Sequence, residues 1–155
     1  MPLRRFATPL ALLFVVGGIA DAQTTRAHFG PRLTYNFDMD EVALGAGFTA
    51  PVSNRLEFYP SFDTFLVDQG SLWALNADLK VRVTGESLNW LYMGGGLNVQ
   101  RRSLGDNHNT NTGLGLFAGF ESLSGWVHPY GELRLVTGDG TSGQATIGLN
   151  FTLGR

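Results

Sequence analysis

Seven charged residues occur at alternate positions of segments in which the neighbouring residues are apolar or glycine. They carry both signs: Arg32, Glu57, Asp78, Lys80, Arg82, Glu132 and Arg134. A carboxylate in such a set could serve as a general acid or base, and Glu57 and Glu132 are the two candidates, but that role needs a pocket and a partner that the sequence does not indicate. Mutual ion pairing is the simpler interpretation, because a buried charge without a partner is strongly destabilising. We therefore predict an interior charge network and no catalytic residue.

Metal binding is a second chemistry to consider. His28 and His128 both lie on the polar face of their segments, and the two segments would flank the last one. A shared metal ion is therefore conceivable. Two histidines without a third ligand at a definite spacing are a weak signal, and single hydrogen-bonded histidines are commoner. The acidic run 38–41 could bind a divalent cation, although such runs are more often solvated turns. We predict no metal site and no cofactor.

A serine nucleophile would need a histidine beside it. His128 is followed by proline and tyrosine, and neither Ser71 nor Ser103 has a histidine at a spacing that would pair them across strands. The glycines alternate along the segments and do not form a phosphate-binding loop. The sequence therefore offers no support for catalysis.

The elements that would position these side chains are β-strands. A strand sends successive side chains to opposite faces, and the last segment, 144–153, has an apolar residue at every odd position. The same alternation predicts eight strands and no helix after the N-terminal region. Their expected bounds are 27–37, 42–50, 55–62, 72–83, 90–100, 112–121, 127–137 and 144–153.

The connections between these strands alternate in kind. Tight turns are predicted at 51–54, 85–87 and 122–125. The intervening connections are 38–41, 64–71, 101–111 and 138–143, of which two are clearly longer. This order suits strands that run up and down in sequence, with both chain ends at one edge.

The N-terminal region has the pattern of an export signal. Arg4 and Arg5 precede an uncharged apolar stretch over 10–20, and Ala20-Asp21-Ala22 is a small-x-small cleavage site. We predict a signal peptide over 1–22 and one β-domain over 23–155. The chain has no cysteine, so disulfides and thiolate metal sites are excluded. A net charge of −2 suggests no nucleic-acid partner.

The composition of the polar faces favours the inside of a barrel over a water-exposed sheet. Charged residues make up 15% of the chain, against about 25% in soluble domains, and Lys80 is the only lysine. The polar faces consist largely of glycine and small residues, which leave room for larger charged ones in a narrow lumen. Membrane barrels also carry aromatic girdles at both ends. Here one set is Phe29, Phe48, Phe120 and Phe151, and the other is Tyr35, Phe37, Phe62 and Trp73.

The last strand combines Gly148 with two terminal apolar residues, Phe151 and Leu153. It resembles the C-terminal signal by which bacterial outer-membrane barrels are recognised for insertion. Across 23–155 the pattern resembles small outer-membrane barrels of the OmpA/OmpX type. The resemblance implies an all-β fold, namely an eight-stranded antiparallel up-and-down transmembrane β-barrel with its tight turns in the periplasm.

The resemblance also implies a location and partners. We expect an outer-membrane protein that contacts the membrane lipid and lipopolysaccharide, and that engages the barrel-assembly machinery through its last strand. We expect a monomer with a closed polar lumen and a structural, envelope-integrity or surface-interaction role. Some small outer-membrane barrels are lipid A deacylases or acyltransferases, so a lipid A-modifying enzyme is one alternative. A soluble periplasmic ligand-binding barrel is another.

Overall fold

Eight antiparallel strands close into a barrel in the computed structural model, which describes residues 26–83 and 90–154. The strands are β1 (His28–Asn36), β2 (Glu41–Pro51), β3 (Leu56–Phe65), β4 (Ser71–Arg82), β5 (Leu91–Leu104), β6 (Asn107–Glu121), β7 (Val127–Thr137) and β8 (Thr141–Thr152). Each strand pairs with the next one in sequence, and β8 pairs with β1. The predicted all-β fold and its up-and-down order are confirmed.

Two predictions fall on parts of the chain that the structure does not describe. The predicted signal peptide, 1–22, and the predicted tight turn at 85–87 both lie outside the described residues. Within the described ranges, no helix is long and apolar enough to cross a membrane.

We name the two ends of the barrel by the strand termini that lie there. The base is the end at which β1 begins and β8 ends, and the top is the opposite end. Backbone pairing closes the barrel between these strands: Leu33 lies opposite Ile147, and Thr34 lies opposite Thr146. Closure provides hydrogen-bonding partners along both edges of the sheet.

The β5–β6 hairpin is longer than the sequence predicts. The expected connection over 101–111 is wrong, because the strands continue to Leu104 and from Asn107 and leave only a two-residue turn. Gly105 in this turn has a φ of 58°, which glycine adopts readily. Pairing extends to the turn, with Arg101 opposite Thr110. Apart from Leu104 and Gly105, residues 101–111 are polar on both faces, so no apolar period marks them as strand.

The two faces of the sheet are inverted relative to a water-soluble barrel. Leu133 is 66% exposed on the outer surface, whereas the next residue, Arg134, is 2% exposed inside the barrel. The outer surface presents large apolar side chains on all eight strands, among them Phe29, Leu33, Leu44, Phe62, Leu75, Leu79, Leu97, Leu116, Leu133 and Ile147. Buried positions are mostly polar or charged, as the alternation predicts for a barrel with a polar interior.

Aromatic side chains line the outer surface at both ends. At the base, Phe29 lies opposite both Phe48 and Phe151. Trp126 extends this row, because its ring lies 5.5 Å from that of Phe151. At the top, Phe62 and Trp73 form a pair with ring centroids 6.0 Å apart. The apolar surface between them is therefore bounded by aromatic rings at both ends.

Inside the barrel, tyrosine rings pack directly against glycines of neighbouring strands. A Cβ placed on Gly119 would come within 2.6 Å of the Tyr92 ring and would also meet the carbonyl oxygen of Gly131. A Cβ on Gly148 would come within 2.5 Å of the Tyr130 ring. Both distances are shorter than any real carbon contact, so these glycines create the space that the rings fill.

We expect Gly119→Ala to destabilise the folded barrel by about 1–3 kcal/mol, since the added methyl group overpacks the Tyr92 contact. Urea-induced unfolding in detergent or lipid measures the loss. Gly140→Ala is the matched control, because nothing lies within 4 Å of a Cβ at Gly140. Equal stability of the two variants would contradict the packing role assigned to Gly119.

Candidate functional site

The candidate site is the barrel interior, where strand register brings the predicted charges together. On β3 and β4, Glu57 lies opposite Lys80, and Tyr59 lies opposite Asp78. Alternate residues of a strand point inward, so the strand that carries a charge sets the direction of its side chain. The register with other strands then decides which charges lie close to it. All seven residues of the predicted network occupy inward-facing positions, and the ion pairs fall into three groups.

The first group lies near the base and contains two bases and two acids. Lys80 Nζ is 3.0 Å from Glu57 Oε2 and 3.4 Å from Glu121 Oε2. Arg82 contacts the same two carboxylates, with Nε 3.1 Å from Glu57 Oε1 and Nη2 2.6 Å from Glu121 Oε2. Asn150 Nδ2 donates to Glu121 Oε1 at 2.7 Å. The four charges thus form a closed ring of ion pairs.

The second group centres on Arg134, which is fully buried. Its Nη2 atom is 2.7 Å from Asp78 Oδ2 and 3.1 Å from Glu132 Oε1. Nη1 donates to Asn76 Oδ1 at 3.3 Å. The guanidinium carbon lies 4.5 Å from the centroid of the Phe117 ring. One base therefore holds two carboxylates from different strands while its flat face packs on an aromatic ring.

The third group pairs Arg32 with Asp63, at 3.0 Å between Nε and Oδ1. Arg32 Nη1 donates to the Tyr59 hydroxyl at 3.1 Å, and Nη2 donates to Thr146 at 3.3 Å. Thr34 donates to Asp63 Oδ1 at 3.4 Å. Residues of three strands, β1, β3 and β8, thus share one hydrogen-bonded cluster.

Aromatic rings pack between these groups. The ring of Phe117 lies 5.9 Å from that of Tyr59 and 6.2 Å from that of Tyr92. Lys80 Nζ lies 5.0 Å and 4.8 Å from the centroids of the same two tyrosines, within the range of a cation–π contact. Tyr92 also donates to Glu132 Oε2 at 3.2 Å. The aromatic residues therefore connect the basal group to the Arg134 group.

Sequence reasoning missed two members of the network, Asp63 and Glu121. Asp63 lies one residue beyond the predicted end of its strand, which in fact continues to Phe65. Glu121 is the last residue of a predicted strand and has the same parity as the inward-facing Phe117. Parity within the predicted strand would have found Glu121, and parity extended by one residue would have found Asp63. With them, the bases Arg32, Lys80, Arg82 and Arg134 face five carboxylates: Glu57, Asp63, Asp78, Glu121 and Glu132.

The two histidines meet inside the base of the barrel, with ring centroids 4.7 Å apart. His128 Nδ1 lies 2.8 Å from the carbonyl oxygen of Ser122, and Nε2 lies 2.8 Å from the Thr152 hydroxyl. A carbonyl only accepts, so Nδ1–H donates to it and Nε2 accepts from the hydroxyl. His28 Nδ1 is 3.9 Å from Glu121 Oε1. Across 26–83 and 90–154, no group of three or more His, Asp or Glu side chains is placed to hold a metal ion.

The structure corrects one statement about serine. Ser103 does have a histidine at pairing distance along the strands, because the short turn at 105–106 brings His108 directly opposite it. Ser71 lies on the other side of Ser103. The pairing escaped sequence analysis because the whole segment was assigned to a loop. The described contacts include no hydrogen bond between Ser103 and His108.

The top of the lumen is divided into an apolar and a polar half. Met39 and Val67, from two connections, pack on a buried cluster that includes Phe65 and Leu72. In the acidic run 38–41, Asp38 accepts from the backbone N–H of Gly143 at 2.7 Å. The opposite half holds a polar cavity of about 150 Å³ between β5, β6 and the β7–β8 connection. Its inner wall includes Asn98, Gln100, Asn111 and Ser142.

Comparison with known proteins identifies the fold. No protein-family model and no curated protein matches the sequence. The N-terminal β-barrel domain of Pseudomonas aeruginosa OprF is similar in structure, with a TM-score of 0.68 and 13% identity over 81% of this chain and 95% of that one. Ail, the attachment invasion locus protein of Yersinia pestis, has a TM-score of 0.54 and 11% identity over 81% and 95% of the two chains. The chain therefore has the fold of the eight-stranded outer-membrane β-barrels.

Proposed function

We propose that this protein is an integral outer-membrane β-barrel with a closed polar lumen and a non-enzymatic role in envelope integrity or surface interaction. The observation that carries the proposal is the inversion of its two faces. Large apolar side chains cover the outside, and the ionised side chains of the network lie inside. In water, that outer surface would be an apolar patch far larger than soluble monomers expose. In a bilayer it is the expected lipid-facing surface.

Sequence and comparisons support the same location. A signal peptide over 1–22 would export the chain, and both structural neighbours described above are outer-membrane barrels. Phe151 lies on the outer surface at the base, and Gly148 faces the lumen beneath Tyr130. These residues, with Leu153, would form the signal that the assembly machinery reads. On this proposal the base is periplasmic, the top faces the cell exterior, and lipid and lipopolysaccharide surround a monomer.

The side chains that fill the interior support the proposal of a closed lumen. Arg134, Tyr59, Lys80, Glu57 and Glu121 are among the largest side chains with less than 2% exposure. An eight-stranded barrel is just wide enough to be filled by side chains. Several ion pairs connect strands that are not neighbours, such as Arg134 with Asp78 and Arg32 with Asp63, so they would hold the interior shut.

One observation favours a different activity. Ser103 and His108 lie opposite each other on the outward face near the top, where a lipid-modifying enzyme would need its nucleophile and base. Against this, the contacts described for the chain give the pair no mutual hydrogen bond and no orienting carboxylate. The non-enzymatic role is therefore the better supported function.

We expect Leu133→Arg to impair folding into lipid vesicles by about 2–4 kcal/mol, because it places a charge near the bilayer midplane. Val52→Arg is the matched control. Val52 is 60% exposed, close to the 66% of Leu133, but lies in a turn at the base. Unfolding in lipid and the gel shift between unboiled and boiled samples measure the two variants. If Leu133→Arg matches Val52→Arg and the parent, or if the parent is a soluble monomer without detergent, the membrane proposal is wrong.

Removal of Arg134 should cost about 3–5 kcal/mol of folding free energy, because Asp78 and Glu132 would be left buried without their base. Arg134→Met keeps much of the volume and removes the charge together with its hydrogen-bond donors. Arg102→Met is the control, since Arg102 is exposed on the hairpin. Denaturant unfolding of both variants in the same lipid provides the measurement. A stability of Arg134→Met equal to that of the control would refute the structural role of the network.

Single-channel recording tests the closed lumen. We expect purified protein in planar bilayers to be silent or to show only brief, small openings, since a solute-sized channel takes about 16 strands. Boiled protein serves as the control for detergent-induced leaks. Steady, large conductance from the folded protein would overturn the closed-lumen proposal.

A further inference from the structure

The polar cavity at the top of the lumen lies above the Arg134 group. It measures about 150 Å³ and is bounded by β5, β6 and the β7–β8 connection. Pockets for drug-sized ligands measure about 300–1,000 Å³, so this one fits a small molecule or the end of a longer one. Apart from Val136, polar side chains and glycines line it, and none of the described residues in this lining is basic or aromatic.

Asn98 is the most buried residue of the lining, with 4% exposure. Arg134 Nη1 lies 3.3 Å from Asn76 Oδ1, and a guanidinium only donates, so this oxygen must accept. Asn98 Nδ2 donates to the same oxygen at 2.8 Å. The Asn98 amide is therefore oriented with its NH₂ group towards Asn76. Among the described contacts its Oδ1 atom has no donor, so a buried acceptor is left for an occupant of the cavity.

Gln100 presents a second free acceptor. Its Nε2 atom lies 3.8 Å from Met39 Sδ, and a thioether accepts but does not donate. The NH₂ group of Gln100 therefore faces Met39, and Oε1 remains free. Asp139, in the β7–β8 connection, adds a carboxylate that has no ion pair among the described contacts. The cavity thus holds several acceptors that the protein itself does not use.

These acceptors discriminate between classes of ligand. An anion would be repelled by Asp139, and an apolar group would leave the Asn98 oxygen buried without a donor. Ca²⁺ takes about 6–8 oxygen ligands, commonly including several carboxylates, and Asp139 is the only carboxylate in the described lining. A primary ammonium group has three donors and no acceptor. It therefore matches the free oxygens of Asn98, Gln100 and Asp139.

The surface around the cavity also favours a cation. In the ranges 26–83 and 90–154, every exposed carboxylate lies in a connection at the top: Asp38, Asp40, Asp68, Asp106 and Asp139. Arg102 lies two residues beyond Gln100 on β5 and is not part of the lining. Acidic side chains around an opening raise the local concentration of cationic ligands.

We propose that this cavity, here called the Asn98 cavity, binds the primary ammonium group of a small aliphatic amine. The ammonium group donates to Asn98 Oδ1, Gln100 Oε1 and the Asp139 carboxylate, and the methylene chain extends towards the opening. The binding site is built from contacts within the barrel, so it goes beyond the proposed function and does not depend on the membrane location. On the proposed orientation, the cavity opens to the cell exterior.

The test is a titration of the folded, full-length mature barrel in an uncharged polyoxyethylene detergent. The probe is diaminobutane with terminal amino groups, and the side-chain amide NMR signals of Asn98 and Gln100 report its binding. Terminal butanediol is the uncharged probe of the same length, and magnesium chloride is the divalent-cation probe. The variants are Asp139→Asn, Gln100→Met and the matched control Asp106→Asn, which removes the same charge at the same end but outside the lining. The gel shift on boiling shows which variants are folded.

We expect the diamine to shift both amide signals in a saturable manner, and butanediol at the same concentration to leave them unchanged. Asp139→Asn should weaken diamine binding about fivefold, which is about 1 kcal/mol and the upper range for an exposed ion pair. Gln100→Met should weaken it about tenfold, because it removes an acceptor of a charged donor. Asp106→Asn should bind the diamine as the parent does.

Several results would overturn the inference. Equal weakening by Asp139→Asn and Asp106→Asn would replace the site by general attraction to an acidic surface. Equal shifts with butanediol would make the ligand a neutral molecule, and tighter binding of Mg²⁺ than of the diamine would make the cavity a metal site. Asn98 and Gln100 signals that do not move would place the amine elsewhere. If Gln100→Met does not fold, Asp139→Asn and the probes still decide. A parent that is soluble without detergent would refute the membrane proposal, and the same titration in buffer would then test the cavity.

Discussion

The structure depends on the pairing of charges that a narrow barrel forces together. Ionised side chains inside eight strands lose most of their water, and that loss is offset only if each finds a partner of opposite sign. Glu57 and Lys80 meet because β3 and β4 pair in one register. A shift of one residue would turn Lys80 to the outside and Leu79 to the inside. The ion pairs and the apolar outer surface therefore enforce the same register.

Filling the interior also requires tight packing of aromatic rings, since paired charges alone do not pack a lumen. Tyr92 and Tyr130 extend over Gly119 and Gly148, so rings from one strand cover the bare backbone of the next. Phe117 then lies between the rings of Tyr59 and Tyr92. Glycine on the inner face is thus part of the packing, because each missing side chain is matched by a large one nearby.

The ends of the barrel are built for different surroundings. The base holds the start of β1, the end of β8, the paired histidines and the aromatic row that contains Phe29 and Phe151. The top carries the acidic connection at 38–41 and the long β5–β6 hairpin, with Arg101 at the border of the apolar surface. On the proposed location in the outer membrane, the two ends would face different surroundings, and the top would be the end available to other surface molecules.

The sequence by itself determined the strand type, the number of strands and the face of the seven predicted charges, because side-chain direction along a strand alternates locally. Arg134 and Leu133 could be assigned to opposite faces without any knowledge of their neighbours. Only the tertiary structure decided which strands meet and in what register. It paired Arg134 with Asp78 and brought Glu121 to Lys80. It also extended the β5–β6 hairpin until Ser103 faced His108. Some of these contacts join residues far apart in the chain, and local alternation carries no information about such partners. Others lie in a polar segment that has no apolar period to mark it as strand.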